Sequence, residues 1–242
     1  YWHPVRENLK NKFGGGLAIL GWIGASGDQS PHIMYRKEGN ARMEKLANQT
    51  RMEDITARIV RSVEETYALV KSDQHKQVQF VHKTEVLKLP MRIITQAEYD
   101  ESKQVEDDCA RQIAADPNKA PNLYAKMTWF GDVCKRYKRQ QQNPEQAYDS
   151  EIHVVRIGDA VVCTNQFELF TDYGIRIQAR SKAIQTFIVQ LAGPGTYLPT
   201  AKAISGGGYS AVCQSNVVGA EAGQILVDRT VALIDAMWEV KK

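Results

Sequence analysis

Short unbroken apolar runs, set between longer stretches of helical periodicity, constrain this chain more than any other feature of its sequence. Residues 17–23, 160–164 and 186–191 have the length and composition of strands covered on both faces. Around them lie helical patterns. Val5, Leu9 and Phe13 fall four apart and form one apolar stripe, and the glycines at 14–16 end it. Ile55, Ile59, Val63, Tyr67 and Val70 predict an amphipathic helix over about 53–71. Residues 78–89 alternate and are rich in Val and Phe, which predicts a strand closed by Pro90. Few β-formers occur in 96–142, so one or two helices are expected there, interrupted near Asp116-Pro117. Gly158-Asp159 between two apolar runs signals a hairpin. A helix over 167–181 follows, and a last amphipathic helix over 219–240. Strands alternating with helices predict an α/β fold, a layered sandwich with a mixed β-sheet flanked by helices.

At 242 residues the chain is expected to form one large domain or at most two. Hydrophobic residues make up 43% and charged ones 24%, enough apolar material for a sizeable core and too much for a disordered tail. The net charge of +3 gives no electrostatic case for nucleic acid, and no apolar run is long enough to span a membrane as a helix. Cys109, Cys134, Cys163 and Cys213 show neither CxxC pairs nor zinc-finger spacing and leave the redox compartment open. The basic run Lys135 to Arg139 is expected to be a solvated helix end. Because the chain opens on an amphipathic stripe, with no signal-peptide pattern, it reads as the C-terminal part of a longer protein.

Ligands in open α/β sheets collect beyond the carboxyl ends of strands. Three such ends lead to Ser30, Glu168 and Tyr197, which the pattern places around one crevice. Each residue also has a plainer role. Ser30-Pro31 suits a helix start, Glu168 suits a first helical turn, and Tyr197 suits a core. Neither glycine triplet is followed by Gly-Lys-Ser/Thr, so both are expected to be turns rather than phosphate cradles. The five histidines share no metal-ligand spacing.

Gly27-Asp28-Gln29-Ser30-Pro31 resembles the GD-x-SP motif of the neutral/alkaline, non-lysosomal ceramidase family. Glu168-Leu169, with Thr171 and Gly174 after it, is similar to that family's Glu-Leu-x-Thr-x-x-Gly element. Tyr197-Leu198-Pro199-Thr200 resembles its Tyr-Val-Thr-Thr element, and Tyr209 follows at the interval of a second active-site tyrosine. The resemblance departs at Ser26 and His32, where the family has Asn nearby, and at Gln166-Phe167, which replace a Gly-Pro step.

This resemblance implies a zinc-dependent amidohydrolase that cleaves an N-acyl amide such as a ceramide. Ser30, Asp28 and Tyr209 would then be catalytic, and Glu168 and Tyr197 would be zinc ligands, with histidine ligands supplied from upstream of Tyr1. The whole of 1–242 would be the C-terminal portion of one catalytic domain, inactive without its upstream part, and the resemblance implies export. In such a site zinc polarises the amide and activates water, a tyrosine donates to the oxyanion, and the serine either attacks or positions the water. Two other readings stay open: a hydrolase of a non-lipid amide or ester on the same scaffold, and a noncatalytic, metal-free binding protein.

Overall fold

Contacts in the computed structural model, which describes residues 1–239, divide the chain into two units. Residues 1–22 and 30–78 form the first, and residues 23–29 together with the chain from 79 onward form the second.

The first unit is helical. Helix α1 (Trp2–Phe13) buries Val5 and Leu9, which pack with Val60. Helix α2 (Lys37–Ala47) buries none of its side chains. Helix α3 (Arg51–Val70) opens with a capping box, Thr50 accepting from the Glu53 backbone while the Glu53 carboxylate accepts from that of Thr50. Its predicted apolar stripe is covered over the first half only, and Tyr67 and Val70 are half exposed.

The second unit holds a mixed four-stranded sheet in the order β1 (Phe80–Pro90), β2 (Ala147–Ile157), β3 (Ala160–Thr164), β5 (Gln185–Val189). The helices α4 (Gln96–Ala115) and α5 (Ala120–Gln142) pack on each other as a hairpin, broken by a short turn at Pro117–Lys119 as the Asp116-Pro117 step predicts. Strand β2 (Ala147–Ile157) runs antiparallel to β1, from Phe80↔Ile157 to Pro90↔Ala147. Gly158, in the left-handed region at φ 60°, turns β2 into antiparallel β3 (Ala160–Thr164). The predicted hairpin is therefore present.

A two-residue strand β4 (Glu168–Leu169) precedes α6 (Thr171–Arg180). Strand β5 (Gln185–Val189) lies parallel to β3, and β6 (Tyr197–Leu198) lies parallel to β4. Helix α7 (Ala201–Gly206) ends in the left-handed Gly207, and α8 (Ala220–Trp238) closes the described chain. Helix α8 packs on β1 and β2, and α6 packs on β5 and α8. Leu87, Leu89, Ile152, Val154, Val161 and Ile188 of the sheet interdigitate with Ile177, Leu226, Val227 and Ile234 of these helices. The α/β architecture with a mixed sheet flanked by helices is as the sequence predicts.

Four local expectations are corrected. Residues 17–23 form no strand: Leu20 is 77% exposed, and the carbonyls of Ile19 and Ile23 accept from Arg6 and from the Gln190 backbone. An apolar run reports a need for partial cover, not a strand partner. Helix α6 starts at Thr171 rather than 167, because Phe167 and Leu169 are drawn into the core and the chain pairs as β4 instead. Ser30-Pro31 starts no helix, since α2 begins only at Lys37. Arg136, from the basic run, is buried rather than solvated. The predicted end of the last helix at Val240 lies outside the described residues.

Candidate functional site

Residues 23–29 form a strap that belongs to the second unit although the chain on either side belongs to the first. The strap is fixed by backbone bonds. Gly27 N–H donates to the Leu169 carbonyl at 2.8 Å, and Gln190 N–H donates to that of Ile23 at 3.0 Å. The buried Gln190 amide joins the two segments: its oxygen accepts from Ser26 N–H at 3.2 Å and from Leu169 N–H at 2.9 Å. Position 27 must be glycine here, because a Cβ would lie 2.2 Å from the Glu168 carbonyl oxygen. Beside it, the Asp28 carboxylate accepts from the Thr171 hydroxyl at 2.6 Å and from its backbone N–H at 2.8 Å. Asp28 thus serves as an external cap on the first turn of α6.

Glu168 and Tyr197 are direct partners in the β4–β6 ladder. Gly195 permits this approach, since a Cβ there would lie 2.1 Å from the Gln166 carbonyl oxygen. Burial pushes the Tyr197 phenol up to about 12, helped by hydrogen bonding to the Glu168 carboxylate, by its charge and by Tyr209. Tyr197 therefore keeps its proton and presents a neutral donor beside a carboxylate.

The Tyr209 ring stands edge-on to Tyr197 at 5.9 Å, and Trp129 of α5 lies 5.7 Å beyond it. Tyr209 itself is 69% exposed. Its loop is held from behind by two arginines. Arg92 donates to the Ala211 carbonyl at 2.6 Å, and the buried Arg136 donates to the carbonyls of Cys213 and of Asn216, the latter at 2.8 Å.

Glu168, Tyr197, Tyr209 and Asp28 accordingly gather around β4, β6 and the start of α6. Ser30 belongs to the first unit. Its Oγ lies 3.0 Å from His32 Nδ1 and accepts from the His32 backbone N–H at 3.2 Å, a local turn rather than a helix cap. Trp129, Gln190 and Arg92 are additions that no local pattern in the sequence signals, and Arg136 comes from the basic run expected to be solvated. All four act through contacts distant in the chain.

Among the described residues no group of three or more His, Cys, Asp or Glu is arranged to hold a metal ion. Glu168 and Tyr197 offer two oxygen donors, whereas zinc sites take three or four protein ligands. The residues present do not by themselves make a zinc site.

No protein-family model and no curated protein matches the chain. Solved structures similar to part of it include a ceramidase complexed with C2, at a TM-score of 0.31 and 20% identity over 36% of this chain and 15% of that one. Another is the neutral ceramidase from Pseudomonas aeruginosa, at a TM-score of 0.32 and 20% identity over 38% of this chain and 16% of that one. The matched region thus spans less than a fifth of either ceramidase.

Proposed function

We propose that this chain contributes to the active site of a hydrolase that cleaves an N-acyl amide, in the manner of the neutral ceramidases its motifs resemble. One observation carries the reading: the Glu-Leu-x-Thr, Tyr-Leu-Pro-Thr and Gly-Asp elements, far apart in sequence, meet at a carboxylate–phenol pair. In this reading the protonated Tyr197 donates a hydrogen bond to the oxyanion that develops on the amide carbonyl. The Glu168 carboxylate, its partner in the β4–β6 ladder, flanks that phenol. Tyr209 and Trp129 form an aromatic wall for the apolar part of the substrate. Asp28 pins the strap to the start of α6, beside Glu168.

Zinc belongs to this proposal only together with imidazole ligands from outside these 242 residues, where it would polarise the amide carbonyl. This chain alone is then expected to bind zinc weakly. The test is turnover by the full natural protein of a short-chain fluorescent ceramide and of a simple N-acyl aminocoumarin, with zinc measured after dialysis. The expected result is about one zinc per protein, with loss of metal and of turnover in Glu168→Ala. A folded protein that holds no zinc and hydrolyses neither amide overturns the reading. Zinc and turnover both retained by Glu168→Ala would show that the carboxylate is not a ligand.

A further inference from the structure

Away from the Tyr197 pair, the second unit contains a cleft of about 860 Å³, within the range of small-molecule sites. It lies where the end of β1, the last turns of α5, α7 and the start of α8 come together, and Pro90, Ile93, Ile204 and Ile225 give it an apolar wall. Besides Lys88 and Arg92, two cations of α5, Arg136 and Arg139, line it. They are three apart on α5 and so share one face of that helix.

Arg136 is 8% exposed, and among the described residues no carboxylate lies within ion-pairing distance of it. It donates to two backbone carbonyls, which leaves three of its five N–H groups without a protein acceptor. Burial above all, with the nearby Arg92 and Arg139, works against its charge and outweighs the support of Cys213 and Asp132. A buried guanidinium without a counter-charge is costly unless a ligand supplies one.

Of the three acidic residues that line the cleft, Glu98, Glu145 and Glu221, two are engaged elsewhere. Glu98 pairs with Arg92 at 3.1 Å and caps α4 through Thr95, and the Glu221 carboxylate is folded over Gly219 at the start of α8.

We propose that this cleft binds an amphipathic anion, its aliphatic tail along the wall formed by Pro90, Ile204 and Ile225 and its head against Arg136 and Arg139. The guanidinium fork accepts a carboxylate or a phosphate head in the same bidentate manner. This inference is independent of the hydrolase reading, because none of these residues belongs to the carboxylate–phenol pair.

Calorimetric titration of the protein with dodecanoate, dodecyl phosphate and dodecanol, each kept below its micellar range, tests it. One equivalent of at least one of the two anions should bind at least about tenfold more tightly than the alcohol, and the tighter anion identifies the head group. Arg136→Met should weaken that anion by a similar factor. Because Arg136 also holds the Tyr209 loop, Ile204→Asp is the companion variant: it leaves both carbonyl bonds intact and should cause the same loss. Equal affinity for alcohol and anions, no binding of either anion, or unchanged affinity in Ile204→Asp overturns the proposal.

Discussion

A single methyl group added at position 27 would sit 2.2 Å from the Glu168 carbonyl oxygen, closer than any packed structure allows. Gly27→Ala is therefore expected to destabilise the protein by about 1–3 kcal/mol and to loosen the strap, which thermal melting and limited proteolysis at residues 23–29 would register. A melt within error of the parent, with no new cleavage, would show the approach to be softer than it looks. Tyr197 offers a second test at this scale. Its raised phenol contributes stability that is fully present below the ordinary 10.0 and lost as pH rises through about 12. As an oxyanion donor it thus imposes no alkaline fall in turnover below about pH 10, and Tyr197→Phe should lower kcat by roughly 100-fold or more. A pH–rate profile of both proteins checks this, and an unchanged kcat in the variant would remove Tyr197 from the reaction. Asp28, Glu168, Tyr197 and Tyr209 are legible in the sequence because short motifs carry them. Gln190 and Trp129 are not, since a lone polar residue after a strand and a lone tryptophan on a helix have no local signature of partners so far along the chain.

At the scale of elements, periodicity and capping chemistry did most of the work. The stripe in α1, the alternation in β1, the Gly158 turn and the break at Asp116-Pro117 all appear where local patterns place them. What local pattern cannot supply is pairing. Residues 17–23 look like a strand but have no partner, while Glu168–Leu169 look helical and pair with β6. The start of α4 shows how an element end also supports the loop behind the candidate site. Burial opposes the charge of Glu98, yet hydrogen bonds from Thr95 and the adjacent Arg92 outweigh it and hold the carboxyl below its ordinary 4.5. Its stabilising contribution is therefore present above that value and is lost as pH falls through the lowered one. Glu98→Gln should be less stable than the parent at neutral pH, by about 1 kcal/mol, with the gap closing in acid. Denaturant melts at both pH values decide this, and a gap that stays constant would mean that the carboxylate charge is not what matters.

For the whole molecule, the division into two units predicts uneven protection. Helix α2 buries nothing, whereas β1, β2 and α8 share the largest core. Amide hydrogen exchange should be fastest in α2 and slowest in the β1–β2 ladder and the middle of α8. Equal protection of α2 and α8 would contradict that ordering. Alternating strand and helix patterns made the α/β architecture readable, but the two-unit division was not, because it depends on residues 23–29 leaving their sequence neighbours. That strap has a consequence for synthesis on the ribosome. Asp28 and its partner Thr171 are separated by 143 positions. At about 5–20 residues per second the segment waits roughly 7–30 s for the helix it caps to be made. During that interval the Gly-Asp motif is an unpaired tether, open to any chaperone or protease near the exit tunnel. The candidate catalytic centre is thus completed long after the part of it that is made first.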